Sequence, residues 1–424
     1  MNFESLLIKN IRAVDTKIDT VTDVFIKDGK ISAVGENLDV TADRTVDGTD
    51  LVLMPSLFDM HVHFRDPGLT YKEDIITGCN SALAGGVTGV LAMPNTKPPC
   101  DNPETVRYII DRAKDTGVEV YPVGCITNGM NGGGLCDYES LKKAGCICIS
   151  DDGRPVENAE LMRQALEKSN ENGLLVASHC EDFSIINGGI MNKGKVSGKL
   201  GVKGMDRASE DYITAREIIL ASSVNARIHI CHVSTEGSTD IIRFAKSRGV
   251  KVTCETAPHY FMLTEDLLEK RDADYRMNPP LRTSEDVKAI IEGIKDGTID
   301  CIITDHAPHA PEEKADFEKA PNGVVGLETS LAATLTALYH TGEITLQKVV
   351  ELMCVNPRKI LGLETPEIAE GKTADLIIAN INRKWTVDPD KLHSKSRNTV
   401  FKGMTLTGKN LMTISKGVVR YENL

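Results

Sequence analysis

Two histidines and one arginine occupy alternate positions in the run DMHVHFRDPG, which spans residues 59–68. On a β-strand, alternate side chains point to the same side, so His61 and His63 could hold one metal ion together. Arg65 lies one step further along that side and offers a planar fork of donors to an anionic substrate. One short strand would then supply metal ligands and a substrate anchor. The alternative is a surface strand with two solvated histidines.

Further residues of the ligand type follow apolar runs elsewhere in the chain. Four of the ten histidines stand at the ends of such runs, and aspartates stand at two others. Imidazole and carboxylate groups suit Zn²⁺ or a similar divalent ion, and this set is large enough for two ions that share one carboxylate. The candidate ligands are His61, His63, His179, His232, Asp305 and one of the adjacent pair Asp151 and Asp152.

These residue types together favour hydrolysis of an amide. A pair of divalent cations lowers the pKa of a bridging water, which gives hydroxide at neutral pH, and one cation polarises the carbonyl under attack. Asp305 could take the proton of that water and pass it to the leaving nitrogen. The sequence contains no GxSxG elbow and no Walker loop, and none of its cysteines has a catalytic context. Metal-assisted hydrolysis is therefore preferred over covalent catalysis.

The elements that must position these residues alternate between apolar strands and amphipathic helices. Helical stretches such as PETVRYIIDRAKDTG and NAELMRQALEKSNENG separate most of the strands. Eight such units indicate an α/β fold of the (β/α)8 TIM-barrel type, whose active-site residues lie at the carboxyl ends of the strands. A doubly wound open sheet is the alternative. The predicted strands span residues 57–63, 87–94, 118–125, 146–150, 174–179, 227–232, 251–258 and 300–306.

The two ends of the chain have a different character from the middle. Residues 1–54 and 365–424 consist of short strand-like pieces without a long helical pattern. Because each end is small for an independent core, we expect the two to pack together as one small β-sandwich domain beside a barrel of residues 55–364. The loop HAPEEKADFEKAPNGVVGLET after the last barrel strand is long and charged, as a lid over the substrate would be.

Composition limits the partners and the compartment. The chain has 424 residues and a formal net charge of −12, which argues against nucleic acid or an anionic membrane as a partner. The sequence has no signal peptide pattern and no apolar run of membrane-spanning length, so a cytoplasmic location is expected. The eleven cysteines are scattered and never form a CxxC pair, which predicts reduced core residues.

At these motifs the chain resembles the dihydroorotase family of the amidohydrolase superfamily, in its bacterial class I branch. The segments HVHFRDPG and TDHAPHAPEEK match the two signature segments of cyclic amidases. The remaining matching segments occur in the family's order and cover essentially the whole chain: MPNTKP, SDDG, SHCED, CHVST, CETAPHY, MNPPLR and GLET.

The resemblance implies a role for each candidate residue. His61 and His63 would bind the first zinc ion, and His179 and His232 the second. Asp152 would bridge the two ions, while Asp305 would bind the first and act as the general base and acid. The implied reaction is the reversible conversion of (S)-dihydroorotate to N-carbamoyl-L-aspartate in de novo pyrimidine (UMP) biosynthesis. The implied substrate contacts are His63, Arg65, Asn95, Asn278, His309, Asn322 and Gly323.

Two departures bear on this interpretation. Many superfamily members bridge their metals with a carboxylated lysine, whereas the matching segment here reads ISDDG, which disfavours hydantoinases. Many relatives carry Phe at the position of Asn322, so a backbone contact there is better supported than a side-chain contact. A cyclic amidase of the hydantoinase, dihydropyrimidinase or allantoinase type remains the alternative, and a non-catalytic homologue is a further one. The family also suggests a homodimer and association with aspartate transcarbamoylase.

Overall fold

The computed structural model describes residues 4–424, which form a mixed α/β structure. Residues 1–3 of the first predicted domain lie outside the described residues. The strands are β1 (Ser5–Val14), β2 (Asp19–Lys27), β3 (Lys30–Gly35), β4 (Arg44–Asp47), β5 (Val52–Pro55), β6 (Leu57–Val62), β7 (Val87–Ala92), β8 (Glu119–Pro122), β9 (Cys148–Ile149), β10 (Leu175–Ser178), β11 (Met191–Asn192), β12 (Gly204–Met205), β13 (Ile228–Ile230), β14 (Val252–Thr256), β15 (Cys301–Ile302), β16 (Leu376–Thr386), β17 (Thr405–Ser415) and β18 (Val418–Glu422).

Helices connect most of the central strands. They are α1 (Ile75–Gly85), α2 (Pro103–Ala113), α3 (Tyr138–Ala144), α4 (Ala159–Glu171), α5 (Phe183–Ile186), α6 (Lys195–Leu200), α7 (Ala208–Ser223), α8 (Glu236–Ser247), α9 (Pro258–Met262), α10 (Ser284–Lys295), α11 (Ser330–Thr334), α12 (Leu346–Val350) and α13 (Asn356–Leu361). Among residues 4–424, no helix combines the length and the apolar character that crossing a membrane requires.

Local sequence explains where the predicted helices begin. The side chain of Asn102 accepts a hydrogen bond from the Thr105 backbone, and Pro103 occupies the first helical position of α2. The side chain of Asn158 caps α4 in the same way. Gly173 follows α4 with a φ of 63°, a left-handed conformation that suits glycine at a helix end.

Eight central strands pair in parallel, each with its neighbour. β6 pairs with β7 and β7 with β8, while β9, β10, β13, β14 and β15 follow one another in a second series. A bridge between Gly124 and Ile149 joins the two series at one side, and a bridge between Val62 and His306 joins them at the other. The succession of parallel pairs therefore returns to the strand from which it began.

Alternate residues of these strands enter two different cores. Leu175 and Ala177 of β10 pack in one apolar core with residues such as Phe58. Val176, between them, packs with Ile228 and the apolar faces of the connecting helices. Both faces of the parallel strands are buried, which explains their nearly continuous apolar sequences. All eleven cysteines are buried and free, as the sequence predicted.

Strands from the two chain ends hydrogen-bond into a single eight-stranded sheet. The order is β18, β17, β16, β5, β1, β2 and β3, with β4 paired to β1 on the side. Leu376 of β16 pairs with Pro55 of β5, so the carboxyl-terminal strands join the amino-terminal ones directly. This sheet has its own apolar core, which includes Ile8, Ile378 and Met412.

Candidate metal centre and active site

Six candidate ligands from different strand ends meet in one buried cluster. His61 is contributed by β6 and His63 follows it, while the other four lie just beyond β9, β10, β13 and β15. Each of the six side chains is almost fully buried. This metal cluster consists of His61, His63, Asp152, His179, His232 and Asp305.

The first half of the metal cluster surrounds the two histidines of β6. His61 Nε2 lies 3.3 Å from Asp152 Oδ1 and 3.7 Å from Asp305 Oδ1. His63 Nε2 lies 3.1 Å from Asp305 Oδ1 and 3.5 Å from Asp152 Oδ2. Both aspartates therefore face both imidazoles, as ligands of one ion would.

The second half contains the other two histidines. His179 Nδ1 lies 2.9 Å from His232 Nε2, and these nitrogens are 3.4 and 3.7 Å from Asp152 Oδ1. The Asp152 carboxylate thus faces four imidazole groups, two in each half. Asp151 points away and accepts hydrogen bonds from the backbone of Ile126 and Thr127.

Several polar atoms in the metal cluster have no hydrogen-bond partner among the described residues. They include the buried His61 Nε2 and Asp152 Oδ1. Ligand atoms of His61, Asp152 and His232 lie within 4.8 Å of one another, as do those of His61, His63 and Asp305. Buried polar atoms without partners are costly, and a divalent cation would satisfy them. The donor set therefore fits a metal such as zinc.

The electrostatics of the metal cluster keep its carboxylates ionised. Burial raises the pKa of Asp152, but the charge of His61 and the nearby imidazoles of His179 and His232 hold this pKa well below its usual range. For Asp305, burial has the same opposing effect, and the hydrogen bond from His63 leads the interactions that lower its pKa. Ionised carboxylates are the form that binds a metal ion.

Three residues of the site have left-handed backbone conformations. The φ angles are 61° for Arg65, 35° for His232 and 48° for Asp305. A residue that has a Cβ adopts this backbone region at a cost in free energy, and such residues concentrate at functional sites. The backbone here turns sharply at the ends of strands, which directs these side chains into the site.

Glu255 supports the metal cluster and was not singled out from the sequence. Its Oε1 lies 2.8 Å from His61 Nδ1, and its Oε2 lies 3.1 Å from His229 Nε2. Burial opposes ionisation, but the adjacent imidazoles of His229 and His61 hold the pKa of Glu255 below its usual range. A carboxylate behind a metal-binding imidazole fixes the orientation of the ring. The sequence feature that could have identified Glu255 is an acidic residue within the buried strand VTCET.

Two further carboxylates hold the surrounding backbone and rings. Asp59 accepts hydrogen bonds from the backbone of His61 and the hydroxyl of Thr304, and burial raises its pKa to about 7. Glu181 lies 3.1 Å from His179 Nε2 and accepts a hydrogen bond from Asn278 Nδ2. Sequence reasoning did not assign either residue a role.

A cavity of about 210 Å³ opens directly onto the metal cluster. Its walls contain all the residues that the resemblance implied as substrate contacts, among them His63, together with four further members of the metal cluster. His63 Nδ1 lies 2.7 Å from Asn95 Oδ1, and Asn95 Nδ2 donates to Asp152 Oδ2 at 3.3 Å. The lining residues that the resemblance implied as substrate contacts are His63, Arg65, Asn95, Asn278, His309, Asn322 and Gly323.

One side of this cavity is positively charged. Arg65 Nη2 lies 3.4 Å from His309 Nε2, and Arg65 Nε donates to the Pro308 carbonyl at 3.2 Å. Gly323 has a φ of 142°, and a Cβ there would lie 2.7 Å from the Ala307 carbonyl oxygen, so only glycine fits. The Asn322 carbonyl faces His309 Nε2 at 2.9 Å, whereas its side-chain Oδ1 has no partner among residues 4–424.

The other histidines lie outside the metal cluster. His306 is buried with Nε2 3.5 Å from Glu73, and its Nδ1 accepts a hydrogen bond from the Gly326 backbone. His259 packs edge-on against the Tyr260 ring, and burial lowers its pKa to about 4. His340 and His393 are exposed.

Comparison with solved structures first gives the class. The L-hydantoinase (dihydropyrimidinase) from Arthrobacter aurescens superposes with a TM-score of 0.88 at 26% identity, covering 100% of this chain and 97% of that chain. The dihydropyrimidinase from Brevibacillus agri has the same fold, with a TM-score of 0.85 at 22% identity over 99% and 95% of the chains. The fold is therefore that of the amidohydrolases.

Sequence comparison then gives the family. The dihydro-orotase-like family model matches residues 50–238. A dihydroorotase from Geobacter metallireducens is 49% identical over 423 residues, covering 99% of this chain and 100% of the relative. A dihydroorotase from Acetivibrio thermocellus is 46% identical over 418 residues, or 98% of each chain. The chain belongs to the dihydroorotase family, which confirms the resemblance identified from the sequence.

Proposed function

We propose that this enzyme interconverts (S)-dihydroorotate and N-carbamoyl-L-aspartate, a step of pyrimidine biosynthesis. The observation that carries the proposal is the shared cavity, in which a cluster of metal-ligand residues faces the buried cation of Arg65. This pairing suits a ring that has both an amide to hydrolyse and a carboxylate to anchor. Relatives of 46–49% identity over the full chain are named dihydroorotase.

The metal cluster would hold two zinc ions, with Asp152 as the bridge. The position of the Asp152 carboxylate between the two pairs of imidazoles supports this assignment. His61, His63 and Asp305 would bind one ion, and His179 and His232 the other. When bound, the ions supply Lewis-acid polarisation of the ring carbonyl and lower the pKa of water.

Asp305 is proposed as the group that moves the proton. Its side chain is buried, and its pKa is held below the usual range, so it is an ionised acceptor near neutral pH. In the hydrolytic direction, water forms a bond to the ring carbonyl carbon and gives its proton to Asp305. The carbon–nitrogen bond then breaks, and Asp305 returns the proton to the leaving nitrogen.

The substrate would lie with its carboxylate toward Arg65, Asn95 and His309. Arginine pairs with a carboxylate through two parallel hydrogen bonds, which fixes orientation as well as affinity. His63, Asn278, and the backbone of Asn322 and Gly323 would complete the walls around the ring. The lining of the cavity supports each of these contacts.

The fold is proposed as a closed (β/α)8 barrel of residues 55–364 with a composite β-sandwich of residues 1–54 and 365–424. The circular succession of parallel pairs supports the barrel. The sheet shared by both chain ends, with its own core, supports the second domain. A homodimer, association with aspartate transcarbamoylase and a cytoplasmic location stay predictions.

A hydantoinase or dihydropyrimidinase activity is the second candidate, since solved structures with those names share the fold. The cyclic substrates of such enzymes lack the carboxylate of dihydroorotate. Arg65 would therefore have no anionic partner in a complex with one of them. A non-catalytic role is disfavoured because the residues of the metal cluster are all in place.

One set of assays tests these proposals together. The purified enzyme is analysed for bound metal and assayed with dihydroorotate, dihydrouracil, hydantoin and allantoin, before and after treatment with a chelator. We expect about two zinc ions per chain and metal-dependent opening of dihydroorotate alone. Faster turnover of an uncharged ring would favour the second candidate, and activity that survives complete metal removal would refute the mechanism.

A further inference from the structure

Lys72 lies beside the substrate cavity, although nothing in the motifs assigned it a role. It is buried in the loop between β6 and α1, with 9% of its surface exposed. Its Nζ forms an ion pair with Glu313 Oε1 at 2.8 Å and a hydrogen bond with His309 Nδ1 at 3.2 Å. The loop is held in place because Lys72 N donates to the Leu69 carbonyl and Ser396 Oγ donates to the Lys72 carbonyl.

The contact with Lys72 determines which imidazole nitrogen of His309 carries hydrogen. A lysine ammonium has only donors, so Nδ1 must present its lone pair. The hydrogen then resides on Nε2, which lies 2.9 Å from the Asn322 carbonyl oxygen, a pure acceptor. Burial and the charges of Arg65, Lys72 and Lys314 lower the pKa of His309 to about 2, so the ring is neutral.

The opposite tautomer has its own possible partners. With hydrogen on Nδ1, the ring could donate to Glu313 Oε2, 3.6 Å away, and Nε2 could accept from Arg65 Nη2 at 3.4 Å. That arrangement would set Nε2 against the Asn322 carbonyl and Nδ1 against Lys72, at the two shorter distances. Lys72 therefore keeps the Glu313 carboxylate from taking the imidazole hydrogen.

We propose that Lys72 is a positioning residue that, together with the Asn322 carbonyl, holds His309 in the Nε2–H tautomer. A substrate carboxylate that takes this hydrogen bond over from the Asn322 carbonyl would then meet adjacent N–H donors from His309 and Arg65. This inference rests on the proposed substrate contacts of His309 and Arg65. It assigns the preference for an anionic ring to four residues acting together: Arg65, Lys72, His309 and Glu313. Without Lys72, only the Asn322 carbonyl would favour the Nε2–H tautomer. Transfer of the hydrogen to Nδ1, on the Glu313 side, would turn the Nε2 lone pair toward the substrate carboxylate and repel it.

The test compares the wild type with Lys72→Met and Lys72→Arg. Labelling the histidines with ¹⁵N reports the protonation of each ring nitrogen, and the spectrum of His309→Gln identifies the signals of His309. We expect Nε2–H in the wild type and Lys72→Arg, and Nδ1–H in Lys72→Met. The KM for dihydroorotate should rise roughly 10–100-fold in Lys72→Met, with kcat within about threefold and metal content unchanged.

A second substitution separates this mechanism from a loss of loop structure. Glu313→Gln in the Lys72→Met background removes the competing carboxylate and offers an amide donor to Nδ1. It should therefore restore the Nε2–H signal and bring the raised KM most of the way back to the wild-type value. A damaged loop would not recover by losing a further interaction.

Three results would overturn the proposal: an unchanged His309 tautomer in Lys72→Met, an unchanged KM, or a loss confined to kcat and metal content. Failure of the proposed function has a separate readout, because the wild type would then not open dihydroorotate at all. The tautomer of His309 is measured independently of turnover, so it tests the positioning by Lys72 in either case.

Discussion

The two sides of the active site are built in different ways. The metal cluster takes its side chains from the ends of strands that pair around a common core. The proposed anion pocket lies on loops, and its residues take no part in strand pairing. We define this pocket as Arg65, Lys72, His309, Asn322 and Gly323. Strands fix the metal ligands by backbone pairing, whereas the anion pocket depends on hydrogen bonds between side chains and loop carbonyls. The two sides should therefore fail in different ways when they are altered.

The largest effect is expected at Asp305, which belongs to the metal cluster and is proposed to move the proton. Asp305→Asn should lower kcat by roughly 10²–10⁴-fold, because the amide cannot accept a proton. Steady-state kinetics and metal analysis check this expectation. A wild-type kcat in a fully metal-loaded Asp305→Asn enzyme would show that Asp305 does not transfer the proton.

Arg65→Met should separate the two sides of the site. The loss of charge-assisted hydrogen bonds to the substrate should lower kcat/KM for dihydroorotate by about 10²-fold. Metal content should stay at the wild-type level, since the metal cluster does not include this residue. Arg65→Lys is the matched variant, which keeps the charge but loses the fork. Parallel loss of metal and activity in Arg65→Met would contradict a separate anion pocket.

Glu255→Gln tests the support behind the metal cluster. The neutral amide should hold His61 less firmly and lower metal affinity by roughly 10–100-fold. A competition titration with a chelator measures this affinity directly. Glu217→Gln is the control, since Glu217 is a buried carboxylate that pairs with Arg216 and does not belong to the metal cluster. Equal effects of the two substitutions would show a general cost of altering buried carboxylates.

The smallest effect concerns Lys314, beneath the anion pocket. Lys314 donates hydrogen bonds to the carbonyls of Arg276, Pro321 and Gly323, and burial lowers its pKa to about 7. The unfolded chain keeps this proton until about pH 10. Unfolding therefore takes up a proton between these values, and the stability of the wild type relative to Lys314→Met should increase as pH rises from about 7 to about 10.

Thermal unfolding of both proteins across that pH range measures this difference. The Tm of the wild type minus that of Lys314→Met should grow by a few degrees toward alkaline pH. A constant difference would mean that Lys314 has the same pKa in the folded and unfolded chains. Taking the difference cancels the titration of groups that both proteins share.

The same contrast explains which parts of the site the sequence predicted. His179 and His232 end apolar strands, and strand ends of one parallel sheet must meet, so their convergence followed from pattern alone. Asp152 needed the family resemblance, because nothing local distinguishes it from Asp151. In the structure, hydrogen bonds from the Ile126 and Thr127 backbone hold Asp151 away from the metal cluster.

Residues that act through long-range pairing escaped sequence reasoning. Glu255 contacts His61, which lies 194 positions earlier in the chain, and Lys72 contacts His309 across 237 positions. No periodicity reports such pairs. The predicted strands were also too long in places, as 300–306 became Cys301–Ile302, because the chain leaves the sheet where it presents Asp305. The mixed α/β class followed from the alternating pattern of strands and helices. The order of the strands in the one sheet that both chain ends form did not follow from the sequence.

The joining of both chain ends in one sheet has a consequence for how the protein is made. β5 is complete at residue 55, yet its partner β16 begins only at residue 376. At typical rates of protein synthesis, the edge of β5 waits roughly 15–65 s for that strand to leave the ribosome. An open strand edge is a template for aggregation during this interval. Nascent chains halted before residue 376 should therefore depend on chaperones more than the finished enzyme does.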